Sequence, residues 1–421
     1  SGSDWLSGRT TAPPPTSWRP GDSMPRDAER RRSTNPAFQE KPPVATTGAV
    51  PPVGVTRLSE GNPDAKGTLA AARAGLPCDL WRTASADELD AAIAAQAPRL
   101  PAMRELLGRM LTAQLDPPAG SPAGQEGRLF LRRVDKLIEL GWIDAAQGLL
   151  QAAGPGDPQR FRRRFDVALL TGEDTAACDD LSRRPGLSPD LAARIYCLAQ
   201  AGDWPAAALA LHGGKASGLV PAETAALLER FLDDSSADAA ESVIPPTKVT
   251  PLDFTLHEAI GEPLSTAELP LPFAWSDLRS TGGWKARLDA AERLARAGAG
   301  GGEMLAQAYL EQKPAASGGV WDRTAAFQRL AAALEAGDAR AVSAELPGTL
   351  DLFAQADLAP ALARAVADRL PGTGLDGPAA QAAARLRLLA GLPVEAPDTL
   401  PEVEAWLARL AAGTPSDPAP P

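Results

Sequence analysis

The chain reads as all-α, an α-solenoid of stacked antiparallel helix pairs behind a disordered, Pro-rich N-terminal arm. Three observations predict this. Between Gly67 and about Asp233, and again from Phe273 to about Ala412, Leu, Ile and Ala recur at three- and four-residue intervals between short Gly, Pro and Asp breaks. No stretch alternates polar and apolar residues as a half-buried strand would. A ten-residue motif returns along the helical region at a period near that of helical-repeat arrays.

Composition sets the outer limits. The 421 residues suffice for two or three ordinary domains, or for one extended array that needs no single large core. Hydrophobic residues make up 44% and mean hydropathy is −0.16, with no apolar run near the ~18 residues of a membrane span, so no membrane-embedded segment is expected. Acidic residues outnumber basic ones 53 to 42, giving net −11 and a pI near 4.9. Such a surface repels a phosphate backbone, which argues against nucleic acid as a partner. Only seven of the basic residues are Lys, and Ala and Pro are abundant, a bias that suits a GC-rich bacterial genome. The chain opens on Ser, which implies processing or a fragment, with any signal peptide upstream.

In chain order, residues 1–66 hold 11 prolines and lack apolar periodicity, as in "TAPPPTSWRP", and cannot bury enough surface to offset chain entropy. They read as a disordered arm, either a linker or a recognition segment docking through Trp5 or Trp18. Residues 67–233 form a helical-repeat lobe. Its start signals include Ser85 with Glu88 three residues on, a capping box, and Ser188 before Pro189. Residues 234–270, rich in Pro and polar groups, are too long for a repeat turn and read as an extended linker or wrapping segment. Residues 271–413 form a second helical lobe, and 414–421 a disordered tail.

The motif is G-x-x-x-A-[AV]-x-x-x-L: "GWIDAAQGLL" (141–150), "GEDTAACDDL" (172–181), "GDWPAAALAL" (202–211) and "GDARAVSAEL" (337–346). Gly ends one helix by accepting positive φ, the small pair lets the next helix approach closely, and Leu fills the groove to the neighbouring unit. A single pair cannot bury its apolar face, whereas a stack can. Gly202, Asp203, Trp204, Ala207 and Leu211 match, in order, the turn signature of tetratricopeptide repeats, and the stretch 141–211, with 321–346 more weakly, resembles that family. The resemblance implies protein or peptide binding on a concave surface, without catalysis. The layout of a Pro-rich arm, "AGLPCDLW" and then helical repeats also looks like uncharacterised secreted proteins of alphaproteobacteria, which implies export but no activity.

Candidate chemistry is sparse. The two histidines, His212 and His257, lie far apart in sequence, and no G-x-S-x-G or metal-ligand spacing accompanies them. "GTGLDG" (372–377) follows a helical pattern where a dinucleotide site requires a strand, and reads as an interhelix turn. Glu241-Ser242 echoes the catalytic Glu-Ser of solenoid lytic transglycosylases but lacks that site's continuation. Trp275, Trp284 and Trp321 cluster in sequence after the interruption, either as core of the second lobe or as a peptide- or glycan-docking patch.

Cys178 and Cys197 lie equidistant from the turn "RRPGLSP", so an antiparallel hairpin sets them at one height, within reach of a disulfide, with Cys78 left free. The alternative is a pair of small apolar core residues in a reducing cytoplasm. A disulfide implies an oxidising compartment, the periplasm for a bacterial chain. The expected function is a non-enzymatic, exported scaffold without cofactors or metals, binding a protein or cell-envelope component. A structural subunit of an envelope machine such as a flagellar motor, and a peptidoglycan-cleaving enzyme, are the alternatives.

Overall fold

The computed structural model describes residues 61–119, 124–154, 156–233, 242–279, 281–375 and 377–414. By its internal contacts the chain divides into a unit of residues 1–54 and one of 55–421, and every described residue belongs to the second. Residues 1–60 of the arm expected over 1–66, and 415–421 of the tail expected over 414–421, lie outside the described residues.

The described residues are predominantly helical. The first half runs α1 (Ala71–Ala74), α2 (Ala86–Ala94), α3 (Pro101–Thr112), α4 (Arg128–Glu139), α5 (Ile143–Ala153), α6 (Pro158–Thr171), α7 (Asp174–Arg183), α8 (Leu191–Gln200), α9 (Trp204–Ala216) and α10 (Ala222–Leu232). The second runs α11 (Pro251–Ala259), α12 (Ala274–Asp277), α13 (Trp284–Arg296), α14 (Gly301–Leu310), α15 (Val320–Glu335), α16 (Ala339–Gln355), α17 (Ala359–Val366), α18 (Gly377–Leu389) and α19 (Glu402–Ala411). Among the described residues the strands are a two-residue parallel pairing of β1 (Leu69–Ala70) with β2 (Ala113–Gln114).

All four copies of the motif adopt one structure. Gly141, Gly172, Gly202 and Gly337 take φ of 75°, 76°, 83° and 64° between successive helices. The next residue's N–H closes the turn on the carbonyl five back, as in Trp142 to Leu137 and Asp203 to Leu198. The second small residue (Ala146, Ala177, Ala207, Val342) and the Leu (Leu150, Leu181, Leu211, Leu346) are buried in every copy. A fifth turn of this kind lacks the glycine: Asp357, at φ 59°, separates α16 from α17 while Leu358 N–H bonds to Phe353 carbonyl.

Three sequence expectations need correction. The folded part begins before residue 67. Pro63–Ala65 form a 3-10 turn and buried Asp64 accepts from the N–H groups of Gly127 (3.0 Å) and Phe130 (2.7 Å), capping α4 from outside the helix. Burial raises the Asp64 carboxyl above its usual range despite those bonds. The cap of α8 is Asp190, whose carboxylate accepts from Ala192 N–H, because the Ser188 hydroxyl is taken by the N–H of Asp190. The stretch 234–270 contains α11, started by a Thr250–Asp253 capping box with Pro251 in the first turn, while Ser85–Glu88 forms its predicted box at α2.

Helix α4 carries two buried cations. Arg133 donates to the carbonyls of Leu111 (2.7 Å), Asp64 (3.1 Å), Lys66 (2.9 Å) and Ala113 (3.0 Å), tying the segments that lead into β1 and β2 to α4. Burial pulls its pKa down to about 10, so it stays charged at neutral pH. Lys136 bonds the Ala94 and Gln96 carbonyls at the end of α2 and the Glu139 carboxylate.

Three large apolar clusters fill the first helices through α5, the stretch α6–α11, and α13–α18. Two small clusters lie where the second half meets the first, through Ile143, Val167, Phe254 and Phe273, and through Ala274, Leu294 and Trp142. At this seam Trp275 Nε1 donates to the Gly141 carbonyl (2.7 Å), Trp142 Nε1 to that of Ala297 (3.3 Å), and Arg104 to that of Arg296 (2.5 Å).

Gly141 and Gly202 occupy equivalent turns in different surroundings. A Cβ on Gly202 meets nothing within 4 Å, whereas one on Gly141 comes within 3.0 Å of Leu271 and 3.2 Å of Leu294. Gly202→Ala should cost only the left-handed backbone penalty, about 1–2 kcal/mol. Gly141→Ala should cost about 1–3 kcal/mol more through overpacking. Urea unfolding midpoints measure the difference, and equal losses would show that the seam is loose.

Candidate binding grooves

Open grooves lie where small residues of neighbouring helices face outward. The Ala-rich α9 packs between α8 and α10 through Ala207 and Leu211, which leaves the flank beside Leu211 open to solvent. There Ala208 and Ala216 of α9 face Ala226 of α10, and the short side chains leave a groove of about 960 Å³ extending to Val243. Leu211 lies at its floor, and His212 and a Lys215–Glu229 ion pair line its walls. A second groove, about 590 Å³, lies between α5, α6 and α7, with Leu150, Val167 and Ala177 as its apolar surface and Gln147 and Glu173 hydrogen-bonded at 3.1 Å. Both offer apolar floors with mixed polar rims.

The three sequence-flagged tryptophans do not converge. Trp284 and Trp321 pack together, ring centroids 5.3 Å apart, in the α13–α18 cluster, and Trp284 Nε1 donates to the Ala308 carbonyl (2.8 Å). Trp275 stands apart at the seam, its N–H spent on Gly141. The N–H groups that would greet a ligand are engaged inside the protein at Trp275 and Trp284. Trp204, by contrast, is 47% exposed beside the first groove's helices and rests on Phe231 at 5.8 Å.

The strongest charge cluster is also internal. Buried Glu292 accepts from Arg323 twice (2.8 and 2.7 Å), from Arg296 (3.0 Å) and from the Tyr309 hydroxyl (2.8 Å). Burial, with Glu292 adding to it, pushes the Tyr309 phenol well above its usual range. Both Glu292 oxygens are used within α13, α14 and α15, so the cluster pins helices to one another and leaves no acceptor for a substrate. Spacing carried a signal here that the sequence reading passed over: Glu292 and Arg133 both fall on the apolar stripe of their helices, at i+4 from Leu288 and Leu129.

His212 lines the first groove, while His257 is buried in α11 with neither ring nitrogen hydrogen-bonded. Among the described residues no group of three or more His, Cys, Asp and Glu is placed to hold a metal. Residues 372–375 of "GTGLDG" lie in the loop before α18, preceded by a 3-10 turn and no strand. Glu241 lies outside the described residues. Among those residues no helix is long and apolar enough to cross a membrane. No protein-family model, no curated protein and no solved structure matches the chain.

A disulfide joins Cys178 of α7 to Cys197 of α8 with Cα atoms 5.1 Å apart, while Cys78 is free and exposed. It ties two helices that flank the grooves. Cys178→Ser with Cys197→Ser should lower stability by about 3 kcal/mol, the chain-entropy value for a loop of this length. Cys78→Ser should change nothing. Guanidinium unfolding of the variants checks both, and a double variant as stable as the parent would show that packing alone holds α7 on α8.

Proposed function

We propose that the protein is a non-enzymatic helical-repeat scaffold, an α-solenoid of stacked pairs, that binds a protein or cell-envelope partner in the periplasm. The observation that carries this reading is the recurrence of one turn geometry and one burial pattern in all four motif copies. A structure assembled from a repeated pair extends by addition and lines its surface with regularly placed grooves. Those grooves are where a partner binds. The α9–α10 groove, with its Leu211 floor and Lys215–Glu229 rim, suits an extended or helical segment carrying alternate apolar and charged side chains. The cross-link between Cys178 and Cys197 supports an oxidising compartment, and with it export.

A photoreactive residue placed at Ala208 or Ala216 in the groove, with Asp351 on α16 as the control, tests the reading in bacterial cells. Cross-links to one partner from 208 and 216, absent at 351 and abolished by Ala226→Trp, are expected. No cross-link from the groove, or equal cross-linking at 351, would defeat it.

A further inference from the structure

A third cavity, about 240 Å³, lies between α2 and α3, away from the grooves assigned to a protein partner. Its floor is made by the buried side chains of Trp81, Leu89, Ile93, Leu107 and Leu111, and its lining is apolar except for Gln96 and one indole N–H. That N–H belongs to Trp81, only 5% exposed, and has no acceptor. Its lining reaches the end of α2 and the start of α3 at exposed Gln96, half-buried Pro98 and 51%-exposed Met103, and Leu100 in the same connection is 66% exposed.

Three basic side chains lie near that same end, of which Arg99 is exposed. Lys136 bonds the carbonyls of Ala94 and Gln96, Arg104 bonds that of Pro98 at 2.9 Å, and exposed Arg99 follows Pro98 directly. Glu139, the partner of Lys136, is the one carboxylate bonded to these cations, while Glu88 is held by Ser85 at the far end of α2. Glu105, one residue before lining Leu106, falls by helical spacing on the opposite side of α3. The twelve-residue α3 begins here at Pro101 with no capping side chain and no acidic residue in its first turn, so the positive end of its helix dipole favours an anion.

An apolar cleft with exposed Arg99 at one end and an uncapped helix start beside it fits an anionic amphiphile. We propose that this cleft binds one medium-chain aliphatic carboxylate, its tail between α2 and α3 and its head at the start of α3 beside Arg99. A cavity of ~150 Å³ accommodates the six carbons of benzene, so 240 Å³ accommodates about ten. The two lining methionines, Met103 and Met110, adapt readily to a flexible chain.

Decanoate titrated into the full chain with ¹³C-methyl methionine tests this, since the four methionines of the sequence divide into two at the cleft and two elsewhere. The expected result is saturable one-to-one binding by calorimetry, with the Met103 and Met110 methyl resonances shifting and those of Met24 and Met304 unmoved. Ala92→Trp, at an exposed lining position, should weaken binding at least tenfold without altering the unfolding midpoint. Arg99→Gln should weaken decanoate several-fold and leave decanol unchanged. The proposal is overturned by absent or non-saturable binding, by shifts of Met304 in place of the cleft methyls, by unaltered binding in Ala92→Trp, or by equal effects of Arg99→Gln on acid and alcohol. Exclusive uptake of a leucine-rich peptide over decanoate overturns it as well.

Discussion

The helix pairs built on the repeated motif depend on one backbone hydrogen bond, from the residue after a left-handed turn to the carbonyl five positions back. The bond closes α4, α6, α8 and α15 after Gly141, Gly172, Gly202 and Gly337. It closes α13 as well, where Ala299 N–H meets Leu294 carbonyl after Gly298, and α16 after Asp357. By satisfying the last carbonyls it ends one helix and aims the next back along it. Only then can Ala146, Ala177, Ala207 or Val342 bring two backbones close enough for the following Leu to fill the groove.

The same turn serves a second purpose at Gly141. Its missing side chain admits Leu271 and Leu294, and its carbonyl receives Trp275, so one residue both reverses the chain and seats the returning second half. The neighbouring Trp142 reaches Ala297 from the other side of the seam. Long-range contact is concentrated on residues whose local role was already fixed.

Local order was legible in the sequence because it is written locally. A glycine, a small pair and a leucine at fixed offsets identify the turns, and the symmetric spacing of Cys178 and Cys197 about theirs identifies the disulfide. Asp357 escaped the motif because an aspartate fills the left-handed position that glycine usually takes. The buried charges escaped because charge is normally a sign of exposure, even though Arg133 and Glu292 stand on the apolar stripes of their helices. The grooves were invisible for another reason: they are spaces left by alanines, and whether two alanines face each other or a core is decided by which helices become neighbours. The seam was equally hidden, since nothing near Gly141 in sequence announces residues 271–297.

The Cys178–Cys197 bond also has a mechanical meaning. A chain of helix pairs held at both ends lengthens under tension by peeling its pairs apart, each adding its full contour to the extension. Here the loop between the two sulfurs is withheld, which removes about 60 Å of stretch at the centre of the first half. Helices α7 and α8 would remain a knot of fixed length while their neighbours unravelled, so a load passing through the array would bypass them.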